Sequence, residues 1–113
     1  MKPGDIVLIS LPQVGGGPPK LRPALVLAAL PGPFQDILIC GISTDLQQVQ
    51  ANWDEVVRPG APDFPGSGLH RASSIRLSYL HAASRTEVTG VIGQIESSLL
   101  ERLLSHLADY LRP

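Results

Sequence analysis

Leu21-Arg22-Pro23-Ala24-Leu25-Val26-Leu27-Ala28-Ala29-Leu30 is followed by the turn Pro31-Gly32-Pro33 and then by Ile37-Leu38-Ile39-Cys40-Gly41-Ile42. The first run reads as a strand, with its proline at the start, where a missing N–H is tolerated. The second is apolar on both faces and reads as a buried strand ending in the small polar residues Ser43-Thr44-Asp45. No helical pattern separates them, which argues against a βαβ unit. Upstream, Ile6 to Leu11 is a further strand, followed by the loop Pro12-Gln13-Val14-Gly15-Gly16-Gly17-Pro18-Pro19-Lys20. Downstream, Asn52–Val57, Leu69–Leu77 and Thr86–Ile95 are strand candidates, and the proline- and glycine-rich stretch Arg58–Gly68 reads as loop. The chain closes on a leucine pattern at helical spacing over about 98–111, headed by Ser98-Leu99-Leu100-Glu101 in capping-box form. The expected fold is mainly β, a small barrel of five to seven short strands whose closure removes the open edges, with one C-terminal helix docked on it.

Composition is consistent with this. The chain has 113 residues, of which 43% are hydrophobic and 4% aromatic, and its eleven glycines and eleven prolines favour turns and short strands. That length predicts one domain over residues 1–113, with no composition shift or internal repeat. A single cysteine, Cys40, excludes an intrachain disulfide and any multi-cysteine zinc site. The apolar run at Ile6–Ile9 is too short for a signal peptide, and the Pro23–Phe34 stretch is too short and proline-rich to span a bilayer. A cytoplasmic protein with no membrane association is expected. A formal net charge of −1 excludes a broad cationic nucleic-acid binder, so any RNA or DNA role must rest on local arginines.

Few residues point to chemistry. His70, His81 and His106 show no metal-ligand spacing, there is no nucleophile elbow, and the three glycines do not form a phosphate loop. No metal or cofactor is expected. Two places remain: Arg22, where a glycine-rich loop enters a strand, and Ser43 with Thr44 at the end of an apolar strand. Taken singly, the first is a solvated charge and the second a turn.

Together, in order and spacing, these pieces resemble PemK/MazF-type toxins. Lys2-Pro3-Gly4-Asp5-Ile6-Val7-Leu8 is similar to the family's opening, Leu21–Leu27 to its Arg-Pro-aliphatic strand, and Leu38–Thr44 to the strand ending in Thr or Ser. Ser73-Ser74-Ile75-Arg76-Leu77 falls where the family shows an acid, Gln, an aliphatic, Arg and Thr. Val91–Ile95 and the leucine helix match its ending. The resemblance implies an SH3-like barrel, usually a homodimer, acting as the toxin of a type II toxin–antitoxin pair. It implies a metal-independent endoribonuclease that cuts single-stranded RNA by attack of a 2′-hydroxyl on the adjacent phosphate. The products are a 2′,3′-cyclic phosphate or 3′-phosphate and a 5′-hydroxyl. Residue by residue, it assigns Arg22 to transition-state charge and Ser43 to a phosphate oxygen, with Thr44 as the substitute if the register slips. It carries a further arginine onto Arg71 and the acidic position onto Ser73, a poor general base. Arg76 is either structural or an RNA contact. His70 and Asp45 are titratable neighbours without a motif match.

From residue types, Gln13 to Pro19, with Gly15, Gly16 and Gly17, is expected to form a lid beside the RNA groove, with Lys20 at its exit, and Trp53 either stacks a base or sits in the core. The implied partner is an antitoxin whose disordered acidic tail lies across the groove. A second reading is a family member of weakened catalysis that binds antitoxin or nucleic acid. A third, an SH3-like adaptor for proline-rich peptides, is opposed by the low aromatic content.

Overall fold

β-branched and aliphatic runs separated by proline and glycine turns become six antiparallel strands in a computed structural model that describes residues 1–11 and 15–113. The strands are β1 (Asp5–Leu11), β2 (Lys20–Ala29), β3 (Ile37–Ser43), β4 (Glu55–Val57), β5 (Ser73–Ala83) and β6 (Val88–Gln94). They are arranged β4-β5-β3-β2-β1-β6. A one-turn helix α1 (Phe64–Ser67) follows β4, and helix α2 (Ser97–Leu111) ends the fold. Among the described residues no helix is long and apolar enough to cross a membrane.

Alternation along the strands gives the sheet two apolar faces. On one, Ile6, Leu25, Cys40, Ile42, Ile75 and Leu77 pack against Leu99, Leu103 and Leu107 of α2. On the other, Val7, Ile9, Ala24, Val26 and Ile39 pack with Ile37 and Ala83 in a smaller cluster where the sheet curls on itself. Register shifts in the β1–β6, β2–β3 and β3–β5 ladders accompany that curl.

The expected barrel closure does not occur. β4 and β6 remain the two edges, because β4 is only three residues long and pairs with β5 alone. Instead of a ladder, α1 packs on β6. The fit depends on missing side chains: a Cβ on Gly93 would lie 2.3 Å from the Ser67 carbonyl carbon and oxygen, and one on Gly68 2.2 Å from the Ile92 carbonyl oxygen. Backbone atoms cannot yield there as a flexible side chain would. Gly93→Ala is therefore expected to cost at least about 2 kcal/mol, read as a lowered urea midpoint at unchanged slope.

Other boundaries also move. The Arg58–Gly68 stretch is not wholly loop, since it holds α1. The strand expected at Leu69–Leu77 starts later and runs on to Ala83. The Thr86–Ile95 candidate begins as a 3-10 turn, Arg85–Glu87, before β6. The capping box lies at this turn and not at Ser98: the Ser84 hydroxyl accepts from the Thr86 N–H, and the Glu87 carboxylate from the Ser84 N–H. Helix α2 begins one residue before Ser98, with Glu96 as its N-cap and no side-chain cap. The Glu96 carbonyl accepts from the Leu99 and Leu100 N–H groups, while Ile95 and Leu100 both pack on the core, as a hydrophobic staple requires.

Candidate functional site

Arg22 lies two residues outward from Ala24 and Ser43 two residues outward from Gly41, and Ala24 and Gly41 pair across the β2–β3 ladder. The same antiparallel count sets Arg22 level with Ser43, on the face opposite α2. Across β3, Ser43 pairs with Ser74 and Gly41 with Arg76, so these two side chains share that face. Arg22, Ser43, Ser74 and Arg76 thus form a polar end to the smaller apolar cluster.

Arg22 is exposed and, among the described residues, has no carboxylate within ion-pair distance. The half-buried Ser43 hydroxyl oxygen accepts from the Asp45 N–H at 3.1 Å, which leaves its own hydrogen available to donate. Asp45 accepts in turn from the Gln47 N–H at 2.9 Å. Ser74 ties the turn to β5, its hydroxyl oxygen lying 3.3 Å from the Ser43 carbonyl and 3.4 Å from that of Asp45. The arrangement puts one hydroxyl donor on the same face as a guanidinium that has no carboxylate partner among the described residues, a combination that suits an anionic tetrahedral or phosphoryl oxygen.

Arg76 is held differently. Its side chain is 10% exposed, its Nε lies 3.3 Å from Asp54 Oδ2, and its guanidinium carbon lies 5.0 Å from the Tyr79 ring centre. The Nε–H is not aimed at the carboxylate and makes no hydrogen bond, so the attraction is coulombic. Asp54, whose side chain is 0% exposed, accepts from the Gln50 N–H at 3.0 Å and the Leu77 N–H at 3.1 Å. One carboxylate therefore joins the loop before β4, the bulge in β5 and Arg76. Nothing in the sequence pattern singled out Asp54, because two of its partners, Arg76 and Leu77, lie far from it along the chain.

The remaining candidates are scattered. Thr44 is exposed in the bend after β3, and His70 and Arg71 are exposed in the segment between α1 and β5, outside the sheet. Ser73 is buried, alternates onto the α2 face opposite Val57, and donates to the Arg71 carbonyl at 2.9 Å, away from Arg22. Of the three arginines, Arg22 and Arg76 share the Ser43 face and Arg71 does not lie in the sheet. In the loop expected to act as a lid, Gly15, Gly16 and Gly17 are exposed with φ of 87°, 94° and 94°, Lys20 opens β2, and Gln13 falls outside the described residues. Trp53 is half-buried, donating to Ser78 Oγ at 2.8 Å and packing edge-on to Tyr110. On α2, His106 has Nδ1 3.1 Å from the Trp53 carbonyl. Cys40 is no nucleophile: burial, and secondarily Asp54, push its thiol up to about 12. Among the described residues no group of three His, Cys, Asp or Glu is placed to hold a metal ion.

Residues 2–111 match the family model of the PemK-like, MazF-like toxin of type II toxin–antitoxin systems. Among solved structures, the Mycobacterium tuberculosis toxin MazF-mt6 is similar at 16% identity and a TM-score of 0.70, covering 95% of each chain. An endoribonuclease in complex with its cognate antitoxin from mycobacterial species is similar at 14% identity and a TM-score of 0.64, covering 100% of this chain and 97% of the other. No curated protein matches the sequence.

Proposed function

The chain belongs to the PemK-like, MazF-like toxins of type II toxin–antitoxin systems, and from that premise we propose that it is a metal-independent endoribonuclease for single-stranded RNA. The observation that carries the reading is that Arg22 and Ser43, each two residues beyond the paired Ala24 and Gly41, fall on the same face, with the Ser43 hydroxyl making no donor hydrogen bond among the described residues. As the 2′-oxygen bonds to phosphorus and the bond to the 5′-oxygen breaks, negative charge grows on the non-bridging oxygens. Arg22 meets that charge, and the Ser43 hydroxyl donates to one oxygen and holds the phosphate in line. Asp45, in the turn that positions Ser43, is the carboxylate nearest this hydroxyl along the chain. The expected lid loop, of which residues from Gly15 onward are described, enters β2 at Lys20, two residues before Arg22, and the acidic tail of an antitoxin would compete for Arg22. A homodimer in the cytoplasm is part of the same proposal.

Purified protein is expected to cut single-stranded RNA in the presence of EDTA and to leave 5′-hydroxyl ends, detected by labelling with polynucleotide kinase without prior phosphatase treatment. Ends that require phosphatase would overturn the proposed chemistry. The burial of Ser73, at the position where the family carries an acid, favours a second reading, a toxin-fold protein that binds antitoxin or RNA without cutting. Tight RNA binding with no cleavage over a broad substrate set would select it.

A further inference from the structure

Tyr79 is the aromatic side chain on the Arg22–Ser43 face that packing leaves available. It is 53% exposed, although it sits in the middle of a strand. The β3–β5 ladder explains this: Cys40 pairs with Leu80 and the next residue, Gly41, with Arg76, so Leu77, Ser78 and Tyr79 loop out as a bulge. The bulge lays Tyr79 across Gly41. A Cβ there would lie 3.2 Å from the tyrosine Cβ and 3.6 Å from its Cδ2, so glycine is what lets the ring approach β3 so closely. Gly41 is only two residues from Ser43 on the same strand, about 7 Å along it.

The ring also rests on a charge. The Arg76 guanidinium lies 5.0 Å from its centre and is held by Asp54, whose side chain is fully buried. A guanidinium against one face of an aromatic ring anchors it through the ring quadrupole. Asp54, Arg76 and Tyr79 thus form a stack rising from the sheet, and an exposed ring near a strand end that carries a hydroxyl and a guanidinium has the form of a stacking platform for a base.

We propose that Tyr79 stacks a nucleobase of the RNA strand adjacent to the phosphate held by Arg22 and Ser43, with the Asp54–Arg76 pair as its positioning support. The inference rests on the endoribonuclease reading for its substrate class and adds a binding residue to it. Among the exposed large apolar residues, Phe34 and Leu111 lie in the β2–β3 turn and at the end of α2, and the Tyr110 ring packs against Trp53.

The test is binding of fluorescein-labelled, non-cleavable 2′-O-methyl oligonucleotides of mixed sequence to the full chain. Tyr79→Ala is expected to weaken binding about tenfold or more, whereas Tyr79→Phe keeps the affinity because the ring is retained. In Tyr79→Trp, oligonucleotide addition quenches the new indole. Far-ultraviolet circular dichroism checks that each variant is folded. Unchanged affinity in folded Tyr79→Ala, or no quenching in Tyr79→Trp, overturns the proposal, as does the absence of any binding by the unsubstituted protein. A change in molecular mass by light scattering with unchanged affinity would make Tyr79 a contact between copies of this chain, and equally overturns it. Cleavage by the unsubstituted protein is scored separately. Cutting that is indifferent to Tyr79 removes only the stacking inference, and Tyr79-dependent binding without cutting removes only the cleavage reading.

Discussion

Arg22→Ala is expected to reduce RNA cleavage by at least about a hundredfold, the usual effect of removing one fixed donor from a developing oxyanion, while the circular-dichroism spectrum and the urea midpoint stay unchanged. The second half of that expectation follows from exposure. Arg22 has no ion-pair partner among the described residues, and exposed substitutions of that kind alter stability by a few tenths of a kcal/mol. Arg22→Lys is expected to restore only part of the activity, because an ammonium keeps the charge but loses the planar fork. Full cleavage by Arg22→Ala would remove Arg22 from the mechanism.

The largest stability effect is expected at Asp54. Asp54→Ala deletes the acceptor for two backbone N–H groups and leaves the Arg76 guanidinium nearly buried without a counter-charge. Breaking a buried pair from one side costs about 3–5 kcal/mol, read as a fall in the denaturation midpoint. Asp54→Asn keeps an oxygen for Leu77 and should cost less. The pair itself contributes less than this cost suggests, since most of the penalty is the orphaned charge. Adding Arg76→Met to Asp54→Ala should therefore recover part of the loss, and a strictly additive double variant would show that the two groups do not interact.

The contrast between these two residues shows what a sequence can reveal. Arg22 and Ser43 stand at strand ends set by local cues, a proline at one start and small hydroxyls at the other stop, so their type and order carried a family resemblance. Their alignment was not legible, because it depends on the β2–β3 register. Asp54 and Tyr79 carried no local signal. The bulge at Leu77–Tyr79 breaks the period-two pattern that identifies a strand, which is why the sequence pattern ends this strand at Leu77. The barrel expected from the strand count likewise failed on a detail beyond periodicity: β4 is too short to reach β6. The capping box expected at Ser98 failed for a related reason, as Ile95 anchors α2 to the core before Ser98 is reached.

Asp5 to Ile9, near the amino end, pair on their outer side with Val88 to Gln94, near the carboxyl end. That ladder makes the order of synthesis matter. While the chain is still emerging, β2 and β3 can pair as neighbours, but β1 has an empty flank and the sheet lacks the helix that covers its larger face. The smaller apolar cluster, which adjoins Arg22, draws Val88 from the same late segment. A fold of this topology thus completes the apolar cluster beside Arg22 only after the β6 segment has joined β1, so the first strand to be made is among the last to be flanked on both sides.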